Sequence, residues 1–593
     1  MKGDRPHDPV RAPRLLRRWS LREAEGAADL AEALGLPVLQ AQLLAGRGVR
    51  DPALAKLWVS GGLRDLPDPR SMVDMDAAVQ RILAALSAGE RVAVHGDYDV
   101  DGTTATALLV DFLRDLGGDV VWYAPHRQRD GYGVALHTVD RLAEGGARLL
   151  ITCDTGVSAH AAIARAAEHG MDTVVCDHHQ LPPELPPCSA ILNPRRDGED
   201  SPFAELAAVG VAFMLAVAIR STLREQGAFA DRPEPDLRET LDLVALGTVA
   251  DLAPLRGVNR LLVNAGLRVL ERRRRPGLAA LLHVAGVQPD HPLEASHLGF
   301  RLGPRINAAG RLDEAARAVE LMLARDLETA SERANALDAF NSQRQQTERD
   351  ILDDALKQAL ALPDLKERRG LVLWSDRWHS GVVGIVAARI VSTFHKPTLV
   401  IAVRDGVGTG SGRTISDVDL YGALQRCDSL MERWGGHRAA AGMTVREDQL
   451  PALAEAFAGR AFEAEDAASW TPTLRADAEL PLGDATWDTW DAVQALAPFG
   501  VGNPEPLFVA RDLKATGVRE LKKGGIRMLL RQGDARPIPA VGFGLGLQAH
   551  QLVGPLEAAF CLSENRWRGE RNLELRLRDL RPQDGGAHVG ETR

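Results

Sequence analysis

Between Arg91 and Cys176, short apolar runs alternate with amphipathic stretches, and Asp or His follows the apolar runs. Val92-Ala-Val-His95, Val120-Val-Trp-Tyr123, Leu149-Leu-Ile-Thr-Cys153 and Thr173-Val-Val-Cys176 are too short for helices and rich in β-branched residues, so they predict strands. Thr103 to Leu116, Ala135 to Ala143 and the stretch ending at His169 predict helices. Successive strands can lie parallel only if a crossover joins them, so this alternation predicts an α/β unit with a parallel sheet and helices on both faces. Such a sheet collects its chemistry outside the carboxyl ends of its strands.

The residues at those ends are ligand types. They are His95-Gly-Asp97-Tyr-Asp99-Val-Asp101-Gly, Cys153-Asp154-Thr, and Asp177-His178-His179. Ala250-Asp251-Leu closes a predicted helix, Glu239 to Ala250, just before Pro254. Carboxylates mixed with imidazole make the donor set of manganese or magnesium, and paired ions of this kind serve phosphate-ester hydrolysis. The Asp97-x-Asp99-x-Asp101-Gly start also matches a calcium loop, but the glutamate such a loop needs at its twelfth position is replaced by Leu108. Each motif alone has a plainer reading: Asp and Gly favour turns, and Asp154 could cap a helix. Recurrence at four predicted element ends is what argues for a site. Adjacent histidines diverge, so one ring can hold a metal while the other meets substrate.

These motifs resemble the DHH phosphoesterase superfamily. Further segments resemble the RecJ family of exonucleases within it: Gly131-Tyr-Gly133, Leu302-Gly-Pro-Arg305-Ile-Asn307-Ala-Ala-Gly310-Arg311 and Pro498-Phe-Gly-Val-Gly-Asn503-Pro-Glu505-Pro. Gly435-Gly-His437-x-x-Ala-Ala-Gly442 resembles the associated DHHA1 domain. The resemblance implies two divalent cations, Mn2+ or Mg2+, with His95 and Asp99 on one, Asp101, His178 and Asp251 on the other, and Asp154 bridging. It implies catalytic or substrate-facing roles for His179 and Asp97, with Asp97 also able to replace a neighbouring ligand. The implied activity is 5′→3′ degradation of single-stranded DNA to mononucleotides in repair and recombination, with a single-stranded-DNA-binding protein and a helicase as partners. An oligoribonuclease or nucleotide phosphatase of the same superfamily is the alternative; it would share the metal motifs without needing further domains.

The rest of the chain reads as follows. Residues 1–80 form an N-terminal arm packed on the first domain, and 81–312 the DHH catalytic domain. Residues 313–362, free of Pro and Gly, predict one or two long bridging helices of roughly 70 Å if continuous. Residues 363–468 form a smaller α/β DHHA1 domain with a glycine-rich turn at Gly406 to Gly412. Residues 469–582 predict a β-barrel of OB-fold type, and 583–593 a disordered tail. No apolar run reaches the roughly 18 residues of a membrane span, and no leader-like stretch opens the chain, so the expectation is a cytoplasmic protein. The absence of heptads favours a monomer. Five cysteines without a CxxC pair argue against structural zinc and a disulfide framework.

A net charge of −10 confines any nucleic-acid contact to local basic patches. The barrel region, Glu505 to Arg581, carries fourteen Lys/Arg against nine Asp/Glu, among them Arg511, Lys514, Arg519, Lys522, Lys523, Arg527, Arg531, Arg566, Arg568 and Arg571. Trp567 between two arginines is the stacking candidate. Near the metal motifs, Arg301, Arg305, Asn307 and Arg311 are candidate phosphate contacts. In the DHHA1 unit, His379 and Ser380 at a helix start, with Ser411, Arg413 and His437, are candidates for a 5′ phosphate.

Overall fold

The computed structural model describes residues 17–583 except 127–129, 132, 312–314, 464, 467–469, 522–523, 548–551, 553 and 568, and only the backbone of 310, 311 and 567. The N-terminal segment holds β1 (Arg18–Leu21), α1 (Ala27–Leu34), α2 (Val38–Ala45) and α3 (Pro52–Ser60). The parallel unit follows as α4 (Met75–Ala88), β2 (Arg91–Gly96), α5 (Val100–Asp115), β3 (Val120–Tyr123), α6 (Leu136–Glu144), β4 (Ala147–Cys153), α7 (His160–Glu168), β5 (Asp172–Cys176) and β6 (Ala190–Leu192). Its five strands run β3-β2-β4-β5-β6, all parallel. Strand order reverses between β2 and β4, so the crossovers there leave in opposite directions and open a crevice at the carboxyl edge. Strand β6 was not expected; three residues give no periodic signal.

Helices α8 (Ala208–Glu225), α9 (Leu241–Ala250), α10 (Gly257–Glu271), α11 (Pro276–Val284) and α12 (Ala295–His297) pack beside this sheet, followed by a π-helical turn (Leu298–Leu302), α13 (Gly303–Arg311) and α14 (Ala315–Met322). Then comes α15 (Leu327–Leu360), 34 residues and roughly 50 Å long. The predicted bridge is therefore two helices, because Asp326 caps a new start by accepting from the Thr329 N–H. Ala330, Ala334 and Leu337 of α15 are buried in the first core and Ile351, Ala355 and Ala359 in the next. One rigid rod thus joins two domains.

The second unit holds β7 (Leu371–Ser375), α16 (Val383–Phe394), β8 (Thr398–Arg404), β9 (Val407–Arg413), α17 (Leu420–Gln425), β10 (Arg433–Gly436), β11 (Ala440–Arg446) and α18 (Leu450–Ala458), in a sheet ordered β10-β11-β9-β8-β7. The expected glycine-rich turn is instead β9, a central strand paired on both sides. Gly408 and Gly410 approach Ile401 so closely that a Cβ would come within 2.7 and 2.6 Å of it. These glycines admit a packed core rather than bend the chain.

The C-terminal unit comprises β12 (Thr473–Ala476), β13 (Ala478–Glu479), α19 (Trp487–Gln494), β14 (Phe508–Leu521), β15 (Gly525–Gln532), β16 (Ile538–Phe543), β17 (Leu556–Trp567) and β18 (Glu570–Pro582). The β14–β17 pairing closes its six-stranded sheet into the expected OB barrel. No helix among the described residues is long and apolar enough to cross a membrane.

The N-terminal arm departs in part from expectation. Its later part packs on the first domain, with Met72 and Met75 in the first core and Leu63 and Leu66 against it, but Leu30, Leu43 and Leu44 share a core with Phe508, Leu513 and Phe560 of the barrel. Strand β1 pairs with β12, 455 positions later in register, a contact between chain ends that no local pattern encodes. Arg260 on α10 completes the tie by donating to the carbonyls of Trp58, Ala495 and Leu496. Leu44→Ala, which empties a fully buried site, is expected to cost about 2–5 kcal/mol in chemical denaturation. Hydrogen exchange should show protection lost in β14–β18; equal loosening of β2–β6 would contradict this packing.

Candidate metal centre

The loop after β2 carries the first ligands. His95, the last buried side chain of that strand before Gly96, is fully enclosed, and neither ring nitrogen has a hydrogen-bond partner among the described residues. Asp99 caps α5 by accepting from the Gly102 N–H at 3.0 Å, and α5 starts earlier than predicted, so Asp101 lies in its first turn. The loop folds tightly on the helix start: a Cβ on Gly102 would come within 2.6 Å of the Asp97 backbone nitrogen. Asp101 is fully buried and accepts from the N–H groups of Ala208 (2.7 Å) and Val209 (2.9 Å) at the start of α8. The positive end of a helix therefore helps hold a carboxylate that burial disfavours.

Asp154 follows β4 in a left-handed conformation, φ 59°, which Asp tolerates better than most residues. Its Oδ1 lies 3.2 Å from His178 Nε2 and 3.8 Å from His179 Nδ1. His178 Nε2 is also 3.9 Å from Asp101 and 3.7 Å from Asp251, the residue that caps the carboxyl end of α9. Three groups of donor atoms each converge within 4.8 Å: Asp97, Asp99 and Asp154; Asp101, His178 and Asp251; and Asp154, His178 and His179. Asp154 and His178 each belong to two of them. Asp97 thus stands among the clustered donors, whereas His95 lies outside these three groups.

Charge crowding is the dominant electrostatic fact. Burial, then repulsion from Asp251 and Asp99, lifts the Asp101 carboxyl well above the ordinary range. Burial and the neighbouring Asp99, Asp101 and Asp97 do the same to Asp154, and burial with Asp99 pushes Asp251 up to about 7. Burial also holds His95 and His178 neutral, pulling both down to about 4. Neutral imidazoles and crowded carboxylates together form a site that gains from added positive charge.

Supporting residues emerge to which the sequence assigned no role of their own. Asp177 is buried and gathers the N–H groups of Val157, His178 and His179, plus His179 Nδ1 at 2.7 Å. Burial raises its carboxyl, but these bonds and the His179 charge outweigh that and lower it. Asn193, at the end of β6, donates to the His179 carbonyl, and Arg195 donates to that of His178. The adjacency of Asp177 to the histidines was a usable signal; Asn193 follows a strand too short to see.

The candidate nucleic-acid residues divide. Arg305 is committed to Asp338 (2.8 Å) and to the carbonyls of Arg301 and Val284, so it binds helices together rather than offering an open phosphate fork. Arg301 is exposed and Asn307 half-buried; the side chains of Arg311 and Trp567, and all of Lys522, Lys523 and Arg568, lie outside the described residues. In the second unit Arg413 donates to Ser411 Oγ at 2.9 Å, and both abut α16, where a Cβ on Gly384 would be 3.0 Å from Ser411 Oγ. Among the described residues Arg413 has no carboxylate partner. His437 bonds to Ala440, which pairs with Arg413 across the sheet. His379 and Ser380 are exposed just before α16, the His379 ring accepting from the Gly381 N–H. On the barrel, Arg511, Arg527, Arg531, Arg566 and Arg571 all have carboxylate partners, while Lys514 and Arg519 are exposed and have none among the described residues.

Comparison with known proteins places this geometry. The DHH family N-terminal domain matches residues 91–248, the DHHA1 domain 367–461 and the RecJ OB domain 476–579. The chain is 39% identical over 564 residues to the single-stranded-DNA-specific exonuclease RecJ of Dickeya dadantii, covering 92% of this chain and 96% of that protein. It is 36% identical to RecJ of Escherichia coli, covering 95% and 98%. The crystal structure of RecJ from Thermus thermophilus in complex with Mn2+ superposes with a TM-score of 0.79 at 30% identity, over 96% of this chain and 80% of that one; the same protein was solved with Mg2+. With three domains matched in order and identity sustained over nearly the whole length, the chain belongs to the RecJ family of single-stranded-DNA-specific exonucleases.

Proposed function

We propose that this member of the family hydrolyses single-stranded DNA at the carboxylate–histidine cluster, with two divalent cations, manganese or magnesium, held there. In this reading His95, Asp99 and Asp154 hold one ion, helped by Asp97, and Asp154, Asp101, His178 and Asp251 hold the other. The convergence of three donor groups sharing Asp154 and His178 carries the reading. The residues fit such ions: the ring nitrogens of His95 have no partner among the described residues, and burial and neighbouring carboxylates raise the carboxyls of Asp101 and Asp154. Oxygen donors suit both metals, and the imidazoles favour manganese. Bound there, the cations supply charge neutralisation for the attacking and leaving oxygens and acidify water.

The protein's own groups do the rest. Asp177 fixes Nδ1 of His179, which leaves Nε2 as the nitrogen that serves the phosphate, giving a proton or hydrogen bond as charge grows on its oxygens. Ser411, Arg413 and His437 with the α16 start form an anion cradle suited to a 5′ phosphate, which supports digestion in the 5′→3′ direction with mononucleotides released. The barrel suits strands longer than the cradle and cluster can hold, which favours this substrate over short oligonucleotides. We place the enzyme in the cytoplasm, acting as a monomer in repair and recombination on strands supplied by a helicase and covered by a single-stranded-DNA-binding protein; the RecJ relatives' specificity for single-stranded DNA supports that substrate.

Asp154→Ala and His178→Ala are each expected to abolish digestion of end-labelled single-stranded DNA in manganese while leaving strand affinity, read by fluorescence anisotropy, largely intact. Turnover in either variant would overturn the ligand assignment. Asp177→Asn should lower kcat about 10–100-fold by freeing the histidine pair from its anchor; an unchanged kcat would remove its positioning role. Arg413→Ala should erase the preference for 5′-phosphoryl over 5′-hydroxyl ends, and a preference that survives would place the 5′ phosphate elsewhere.

A further inference from the structure

Two large apolar side chains stand in water beside the metal centre, and the chemistry above uses neither. Phe300 is 83% exposed and Leu252 is 66% exposed. Leu252 directly follows Asp251 and is held at φ 62°, a left-handed conformation unfavourable for a residue with a Cβ. Phe300 lies in the π-helical turn, flanked by Leu298 and Leu302, which are fully buried. The turn is seated on the end of α9: a Cβ on Gly299 would lie 3.4 Å from Val249 Cγ1, and one on Gly303 3.4 Å from Ala250 Cβ. Close backbone contact therefore brings Phe300 to the helix end that carries Asp251. Single π turns inside α-helices are frequent at functional sites.

The surroundings narrow the occupant. Arg301, exposed, follows Phe300 in the same turn, and the turn abuts the helix end that carries Asp251, so an apolar ring, a guanidinium and the carboxylate cluster share one neighbourhood. A nucleic-acid strand offers phosphates to the charged groups and a flat apolar face, the base, to the ring. We propose that Phe300, with Leu252 at its side, is the stacking platform for an unpaired nucleobase of the strand lying at the metal centre, and that this contact contributes to single-strand selectivity. A base already paired and stacked in a duplex cannot present its face to the ring. The proposal rests on the reading that the cluster cuts single-stranded DNA.

The test uses the full chain with manganese and a 5′-phosphorylated oligothymidylate, intact or carrying one abasic site at each of its first few positions in turn. Phe300→Ala should raise KM about tenfold on the intact strand with little change in kcat, the loss of one stack, and Phe300→Trp should restore it. At one abasic position the wild type should show the same loss and Phe300→Ala no further one. Wild-type KM in Phe300→Ala, or losses that add at every abasic position, would overturn the platform. Because the abasic comparison is made within each variant, a stability change cannot mimic it. Failure of the wild type to digest the intact strand is a separate result, and it would overturn the underlying reading of the cluster instead.

Discussion

The rest of the structure depends on one electrostatic burden: several carboxylates and two neutral imidazoles gathered where water is largely excluded. Asp101 and Asp154 are buried, and burial together with neighbouring carboxylates raises the proton affinity of both. A fold tolerates such crowding when fixed dipoles or cations answer it. Here the α8 N-terminus answers Asp101 with two N–H bonds, and Asp177 uses backbone N–H groups to orient the histidines. What remains is negative and open to divalent ions.

The architecture is arranged to hold that burden in place. A parallel sheet brings β2, β4 and β5 to one edge, so His95, Asp154 and His178 come from three distant stretches of chain yet sit on one rigid frame. Asp251 arrives on α9, from the helical layer. The long α15 then couples this domain to the second α/β unit by burying different parts of one stripe in two cores. The barrel is tied back by the N-terminal helices and by Arg260. These ties are packing and hydrogen bonds to backbone carbonyls, which salt weakens less than it does pairs of exposed charges.

Arginine shows how residue type alone misleads. Arg275 ends a run of four arginines that could be taken for a DNA track, yet it is mostly buried between Asp111 and Asp242. Arg305, in a segment resembling the family's motif, is consumed by Asp338. Arg413 reads like any other in the sequence but lacks a carboxylate partner among the described residues, and so remains available to an anion. The difference lies in what each guanidinium meets after folding. The same holds for glycine: Gly408 and Gly410 read as a turn and prove to be the thin side of a packed strand.

Local pattern sufficed for the alternating strands and helices, for the sheet's carboxyl edge as the place of the chemistry, and for the ligand types, because short-range periodicity encodes these directly. It also carried the long bridge and the barrel, although α5 begins earlier and the bridge is broken at Asp326. It could not reveal β6, whose three residues have no period, nor Asn193 beyond it. Nor could it reveal that the first N-terminal helices pack on the barrel, or that the start of α8 holds the Asp101 carboxylate. Those outcomes depend on contacts between residues tens to hundreds of positions apart, and only the closed tertiary structure decides which side chains meet there, since the energy of each contact exists only once its partner has arrived.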